Sequence, residues 1–197
     1  MLNPRWSPDG QWLSYATSDG IHLYRLENGE SRVIGNRIGS VVSWTANSQS
    51  IILRDGIVNG NELVTQLFRY DLMSQQLSAF SPDLAFENLL VAASPTDEWV
   101  AVVRRELTRF NDNQIWLVRS NGSESHQLAD MKNGTYSNLN WSLDGKYLLY
   151  DVYMSNSPSL ETRLQVIEIA TGKVRDIGPG SNPSWIWNGL PTVSKAQ

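Results

Sequence analysis

The side chains best equipped for chemistry in this 197-residue chain are few and far apart. The only histidines, His22 and His126, sit in different alternating stretches. Each reads either as a ligand or general base, or as a strand histidine satisfied by its neighbours, and no nucleophile–base pair is spelled out beside them. No Gly-x-Ser-x-Gly elbow occurs, so a hydrolase nucleophile of that kind is missing from the sequence. Phe110-Asn111-Asp112-Asn113-Gln114 offers oxygen atoms but lacks the spaced carboxylates of a calcium loop, so neither metal nor cofactor is assigned. The most distinctive group is Arg104, Arg105, Glu106 and Arg109 beside Phe110 and Asp112. A cationic cluster next to an aromatic can capture a carboxylate or an acidic peptide segment. It can also be a solvated loop whose charges pair with Glu106, Asp112 and Asp151.

What would position such a cluster is a repeated element. Trp6-Ser7-Pro8-Asp9-Gly10 has turn chemistry, followed by the strand Trp12-Leu13-Ser14-Tyr15. The unit returns as Trp141-Ser142-Leu143-Asp144-Gly145, as Trp44-Thr45-Ala46-Asn47-Ser48, and as Ala93-Ser94-Pro95 with its tryptophan lost. Pro183-Ser184-Trp185 opens a further copy. From Trp6 through Trp44, Ala93 and Trp141 to Trp185 the intervals are 38, 49, 48 and 44 residues. Strand-only repeats of roughly 40 to 50 residues are propeller blades. Asp9 and Asp144, recurring in one turn slot with Gly10 and Gly145, read as backbone caps and not as an acid–base pair. Trp6, Trp44, Trp141 and Trp185 likewise share one slot and read as packing between blades.

Trp-Ser-Pro-Asp-Gly, an apolar strand, a strand such as Ile21-His22-Leu23-Tyr24, a Gly turn and a short outer strand together resemble the TolB-type, WD-like propeller repeat. The same repeat builds the propeller domains of prolyl oligopeptidase-like enzymes. The resemblance implies an all-β chain of four-stranded antiparallel blades at about 3–36, 37–82, 86–130 and 135–178, a partial fifth at 180–187, and a polar tail at 188–197. It further implies that a protein or peptide partner binds at a channel mouth, while matching no binding residue position by position. In such a ring the connections between second and third strands line that mouth. They are expected as loops at about 55–63, 104–112 and 152–161, which adds Asp55, Asn59, Asn61, Glu62 and Tyr153 to the candidate partner-binding residues. Two alternatives accompany this non-catalytic binding module: the gating propeller of a serine peptidase, and a carbohydrate-binding propeller.

A formal charge of −4 with scattered cations argues against a nucleic-acid partner held through phosphates. No apolar run is long enough to cross a bilayer and no signal-peptide pattern opens the chain. Without cysteine there are no disulfides, and the compartment stays open. Five inner strands against four of every other kind imply a fragment of a longer propeller, a closed four-bladed ring, or a homodimer joined through unpaired blade faces, with the fragment expected. Asn121-Gly122-Ser123 and Asn133-Gly134-Thr135 match glycosylation acceptors and fit turns equally well.

Overall fold

The computed structural model describes residues 4–39, 42–80, 82–109, 112–132, 134–154 and 161–185. Phe110, Asn133, Trp187 and the tail at 188–197 lie outside them. The first sheet comprises β1 (Arg5–Trp6), β2 (Trp12–Ala16), β3 (Ile21–Arg25) and β4 (Ser31–Ile34). The second comprises β5 (Ser43–Trp44), β6 (Ser50–Asn59), β7 (Glu62–Asp71) and β8 (Leu77–Ala79). The third comprises β9 (Phe86–Ala93), β10 (Trp99–Glu106), β11 (Asp112–Arg119) and β12 (Ser125–Lys132). The fourth comprises β13 (Gly134–Trp141), β14 (Tyr147–Met154), β15 (Thr162–Glu168) and β16 (Val174–Pro179). Every sheet is a meander whose sequential strands pair antiparallel, so the four are propeller blades. No helix occurs among the described residues, and none is long and apolar enough to cross a membrane.

One hydrogen-bond circuit shapes the turn between the first two strands in blades 1, 2 and 4. Ser7 Oγ donates to Asp9 Oδ1 and accepts from the Trp12 amide, while Asp9 Oδ1 also accepts from the Gln11 amide. Ser142 and Asp144 repeat this circuit, and Thr45 and Asn47 reproduce it with different side chains. The fourth residue of all four turns is left-handed: Gly10 at φ 70°, Ser48 at 59°, Asp97 at 57° and Gly145 at 69°. This conformation explains glycine in two of the copies.

Alternation along the strands then directs apolar side chains to both faces of each blade. The junction of blades 1 and 2 buries Trp12, Ile21, Leu23, Trp44, Ile51 and Leu53. Ile52 and Leu67 meet Val100, Val102 and Val118 between blades 2 and 3. Ala101, Val103 and Ile115 meet Tyr136, Leu148 and Tyr150 between blades 3 and 4. Three junctions therefore carry three cores, and the described residues form no fourth core between blades 4 and 1. The repeat tryptophans reach backward across these junctions. Trp44 Nε1 donates to Ser14 Oγ of blade 1 at 3.0 Å, and Trp141 Nε1 to the Ala92 carbonyl of blade 3 at 2.8 Å. Trp185 Nε1 donates to the Asn140 carbonyl of blade 4 at 3.0 Å. The opening tryptophan, Trp6, is 57% exposed.

Pairing continues outward into all three of the expected mouth loops. Asp55 and Asn59 belong to β6 and Glu62 to β7, leaving Gly60-Asn61 as the turn, with Gly60 at φ 63°. Arg104, Arg105 and Glu106 belong to β10, Asp112 to β11 and Tyr153 to β14. The alternation of Ile57 and Val58 with Leu63 and Val64 lets the ladder run on from Ser50↔Asp71 to Asn59↔Glu62.

Candidate functional site

Arg54, Arg104 and Arg105 lie with Glu87 where blades 2 and 3 meet. On β10, Val100 and Val102 point into the junction core, so by alternation Arg104 follows them on the face turned to blade 2. On β6 the same logic puts Arg54 after Ile52, facing blade 3, and Arg54 Nη1 lies 3.5 Å from the Asn88 carbonyl. Gln66, Asn88 and Gln114 are buried around them. Gln66 Nε2 donates to the Phe86 carbonyl and Asn88 Nδ2 to the Thr65 carbonyl, which ties the two blades together at this level.

Arg104 is 3% exposed. Its guanidinium lies 4.2 Å from the Trp116 ring centre and 5.1 Å from that of Phe86, and the two rings meet edge to face. The cation is thus held by aromatic faces. Burial pulls its pKa down to about 10, with Asp83 acting weakly in the opposite sense. Burial also lowers Arg54, against the charge of Glu87.

The remaining candidates do not form one surface with Arg104. Arg105 turns to Glu87, its Nε and Nη2 donating at 2.9 and 2.6 Å. Arg109, well exposed, pairs with Glu106 at 3.3 Å across a tight turn in which the Arg109 amide bonds the Glu106 carbonyl. Asp151 is buried on blade 4, where it accepts from Asn138 Nδ2 and the Asn182 amide. Asp55 accepts from the Arg37 and Gly56 amides and so anchors the connection entering blade 2. Asn59, Asn61 and Glu62 are exposed at the tip of the β6–β7 hairpin, and Tyr153 stands apart on blade 4. The contiguous cluster suggested by sequence is therefore divided: Arg104 goes inward and Arg105 and Arg109 into ion pairs, because neighbours on a strand face opposite ways.

Phe86, Trp116, Arg54, Glu87 and Asn88 were not singled out from sequence. A charged residue in phase with Val100 and Val102 was the available signal. The histidines lie in separate blades. His22 stacks on Tyr15 and shares a 3.0 Å hydrogen bond with Asp19, and His126 meets the Trp99 ring edge-on. Asn113 Nδ2 donates to the Gly134 carbonyl and Gln114 Oε1 accepts from Trp116 Nε1, so both amides are used structurally. Among the described residues no three His, Cys, Asp or Glu side chains come together as a metal site.

With this geometry in view, the solved structures are informative about architecture. TolB from Acinetobacter baumannii superposes with a TM-score of 0.66 over 91% of this chain, at 22% sequence identity. The chain has the TolB-type propeller fold. An oligogalacturonate lyase in complex with manganese aligns at TM-score 0.67 and 16% identity over 91% of the propeller. A prolyl endopeptidase aligns at 0.64 and 14% over 93%. The propeller spans 43% of that TolB, 54% of the lyase and 29% of the endopeptidase. No family model matches the sequence, and no curated protein does.

Proposed function

We propose that this propeller is a non-catalytic binding module that recognises a protein or peptide partner at its mouth. The observation that carries the reading is the concentration of Arg54, Arg104, Arg105 and Arg109 at the mouth end of blades 2 and 3, in a chain of net charge −4. Arg105 and Arg109 reach solvent there, and the rigid β6–β7 hairpin stands beside them with its polar tip. Held on sheets, such groups lose little freedom when a partner docks. The placement of the two histidines in separate blades, His22 stacked on Tyr15 and His126 edge-on to Trp99, supports the same reading.

The test is fluorescence anisotropy with a labelled glutamate-rich peptide. The wild-type chain binds it with an affinity that falls as salt rises, and Arg105→Gln with Arg109→Gln weakens it severalfold while the thermal midpoint is unchanged. Equal binding by the double variant would refute the reading. A second reading follows from the structural neighbours: the propeller of a prolyl endopeptidase is a part of a larger enzyme, and this chain could gate one in the same way. A hydrolase domain in the same polypeptide would favour that reading over the first.

A further inference from the structure

Guanidinium groups in this molecule use one edge repeatedly. Arg105 directs Nε and Nη2 together at Glu87, and Arg163 directs Nε and Nη2 at the two oxygens of Asp176, at 2.8 and 2.7 Å. That edge is a fork whose spacing matches the two oxygens of a carboxylate. Arg104 has the same edge, and its Nε and Nη2 are buried with no hydrogen-bond partner among the described residues. The nearby acceptors are committed elsewhere: Gln114 Oε1 to Trp116, Gln66 Oε1 to the Asp83 amide, and the Asn88 carbonyl to Arg54. Glu87 is engaged by Arg105. Asp83 influences Arg104 only through its charge, and its Oδ1 caps the Ala85 amide.

A buried charge whose donors go unmet is costly, and cation–π contact satisfies the flat faces of the guanidinium but not its rim. We infer that the Nε–Nη2 fork of Arg104, clamped between Phe86 and Trp116, is a receptor for a single carboxylate that enters between blades 2 and 3. Arg104 stands two residues from the end of β10 at Glu106, between the mouth and the core formed by Val100 and Val102. Entry from that end of the strand, between the blade edges, would not cross that core. An aspartate or glutamate side chain of a docked partner presents such a carboxylate, as does a small free carboxylic acid. The inference rests on the binding-module reading and names the chemistry at its centre.

The experiment is an NMR titration of the intact chain with acetate, following the Arg104 Nε–H and Trp116 Nε1–H resonances, with acetamide as the uncharged control. Saturable shifts of both resonances at about millimolar acetate, absent with acetamide, are expected. Arg104→Lys keeps the charge but removes the fork and is expected to weaken the Trp116 response at least tenfold. Arg104→Met is expected to abolish that response and to raise the thermal midpoint, because an uncompensated buried charge is gone. No saturable shift in the wild type, or an undiminished Trp116 response in Arg104→Lys, overturns the site. So does an Asp83→Asn variant that moves the Arg104 Nε–H resonance as far as saturating acetate, for the chain's own carboxylate would then fill the fork. A glutamate-containing peptide that binds more tightly than acetate, and more tightly than its glutamine counterpart, assigns the carboxylate to a partner chain. Equal affinity for acetate and that peptide assigns it to a small acid. Anisotropy binding that depends on Arg105 and Arg109 without any response at Arg104 would leave the module reading standing and remove this site alone.

Discussion

The two ends of the blade array carry the same tryptophan in opposite circumstances. On the outgoing face of blade 4, Trp185 is 38% exposed and bonded to Asn140, and the chain before it is pinned at Asn182 by Asp151 and Asn138 and at the Pro183 carbonyl by Asn140 Nδ2. On the incoming face of blade 1, Trp6 is 57% exposed, beside the exposed Tyr24 and Val33 of the same sheet. Inside the array, Trp44 in that slot is only 7% exposed. A blade's face is thus half of a core, and identical residues contribute to stability only where a preceding blade completes it.

Truncation of the tryptophans should break this comparison most visibly. Trp44→Ala empties the junction of blades 1 and 2 and is expected to cost about 3–5 kcal/mol. Trp185→Ala should cost roughly 1–2 kcal/mol from its partial burial, and Trp6→Ala no more than about 0.5 kcal/mol. Urea denaturation of the three variants gives the order directly. A Trp6 effect as large as that of Trp44 would mean that blade 1 is covered in solution.

The pinning of the outgoing face comes next in size. Asp151 accepts two bonds from Asn138 and one from the Asn182 amide while only 3% exposed. Asp151→Ala leaves those donors unmet and should cost about 1.5–3 kcal/mol, with a red shift of Trp185 emission as the segment lifts. Asp151→Asn, which keeps one acceptor, should retain part of that stability. Emission unchanged in both variants would show that Trp185 is held by its own indole bond to Asn140.

Acid should weaken both ends more gently. Burial pushes the Asp9 carboxyl upward, but bonds from Ser7, the Gln11 amide and Ser48 hold it below the ordinary aspartate value. Asp144 is held down by Ser142 and the Lys146 amide. A depressed folded pKa means stability that is present above the unfolded value, about 3.9, and lost as pH falls through the lower folded value. Asp9→Asn and Asp144→Asn are therefore expected to flatten the decline of stability below about pH 4. Unfolding curves collected between pH 5 and the acid limit, which coincide for wild type and both variants, would remove the turn carboxylates from the account.

Much of this architecture is legible in the sequence because the repeat writes it several times. Ser7-Pro8-Asp9-Gly10 and Ser142-Leu143-Asp144-Gly145 specify a turn, and Trp44 and Trp141 mark inner strands, all through local chemistry. The candidate site was less legible. Alternation could show that Arg104 and Arg105 face apart, but not that Arg105 would find Glu87 on β9 or that Arg104 would lie between Phe86 and Trp116. Those partners come from pairing across strands, Arg105↔Glu87 and Arg104↔Gln114, whose register includes a bulge after Val103. A bulge is a one-residue decision that composition does not announce.

The turn glycines occupy one slot with different surroundings, and the contrast between them is the finest test of the two ends. Gly10 at φ 70° and Gly145 at φ 69° pose the same backbone problem to any other residue. A Cβ on Gly10 would meet nothing within 4 Å, whereas one on Gly145 would stand 2.8 Å from Thr96 Cγ2 and 3.0 Å from Thr96 Oγ1. Thr96 belongs to blade 3, so the crowding at Gly145 comes from the preceding blade, and Gly10 is free of it because its turn opens blade 1. Gly10→Ala should therefore cost only the left-handed strain, about 1 kcal/mol. Gly145→Ala should add a clash with a short β-branched side chain that cannot swing away, for roughly 2–3 kcal/mol in total. If the two substitutions cost the same, the turn of blade 1 is packed against something in solution, and the contrast between the two ends would not hold at the turn face.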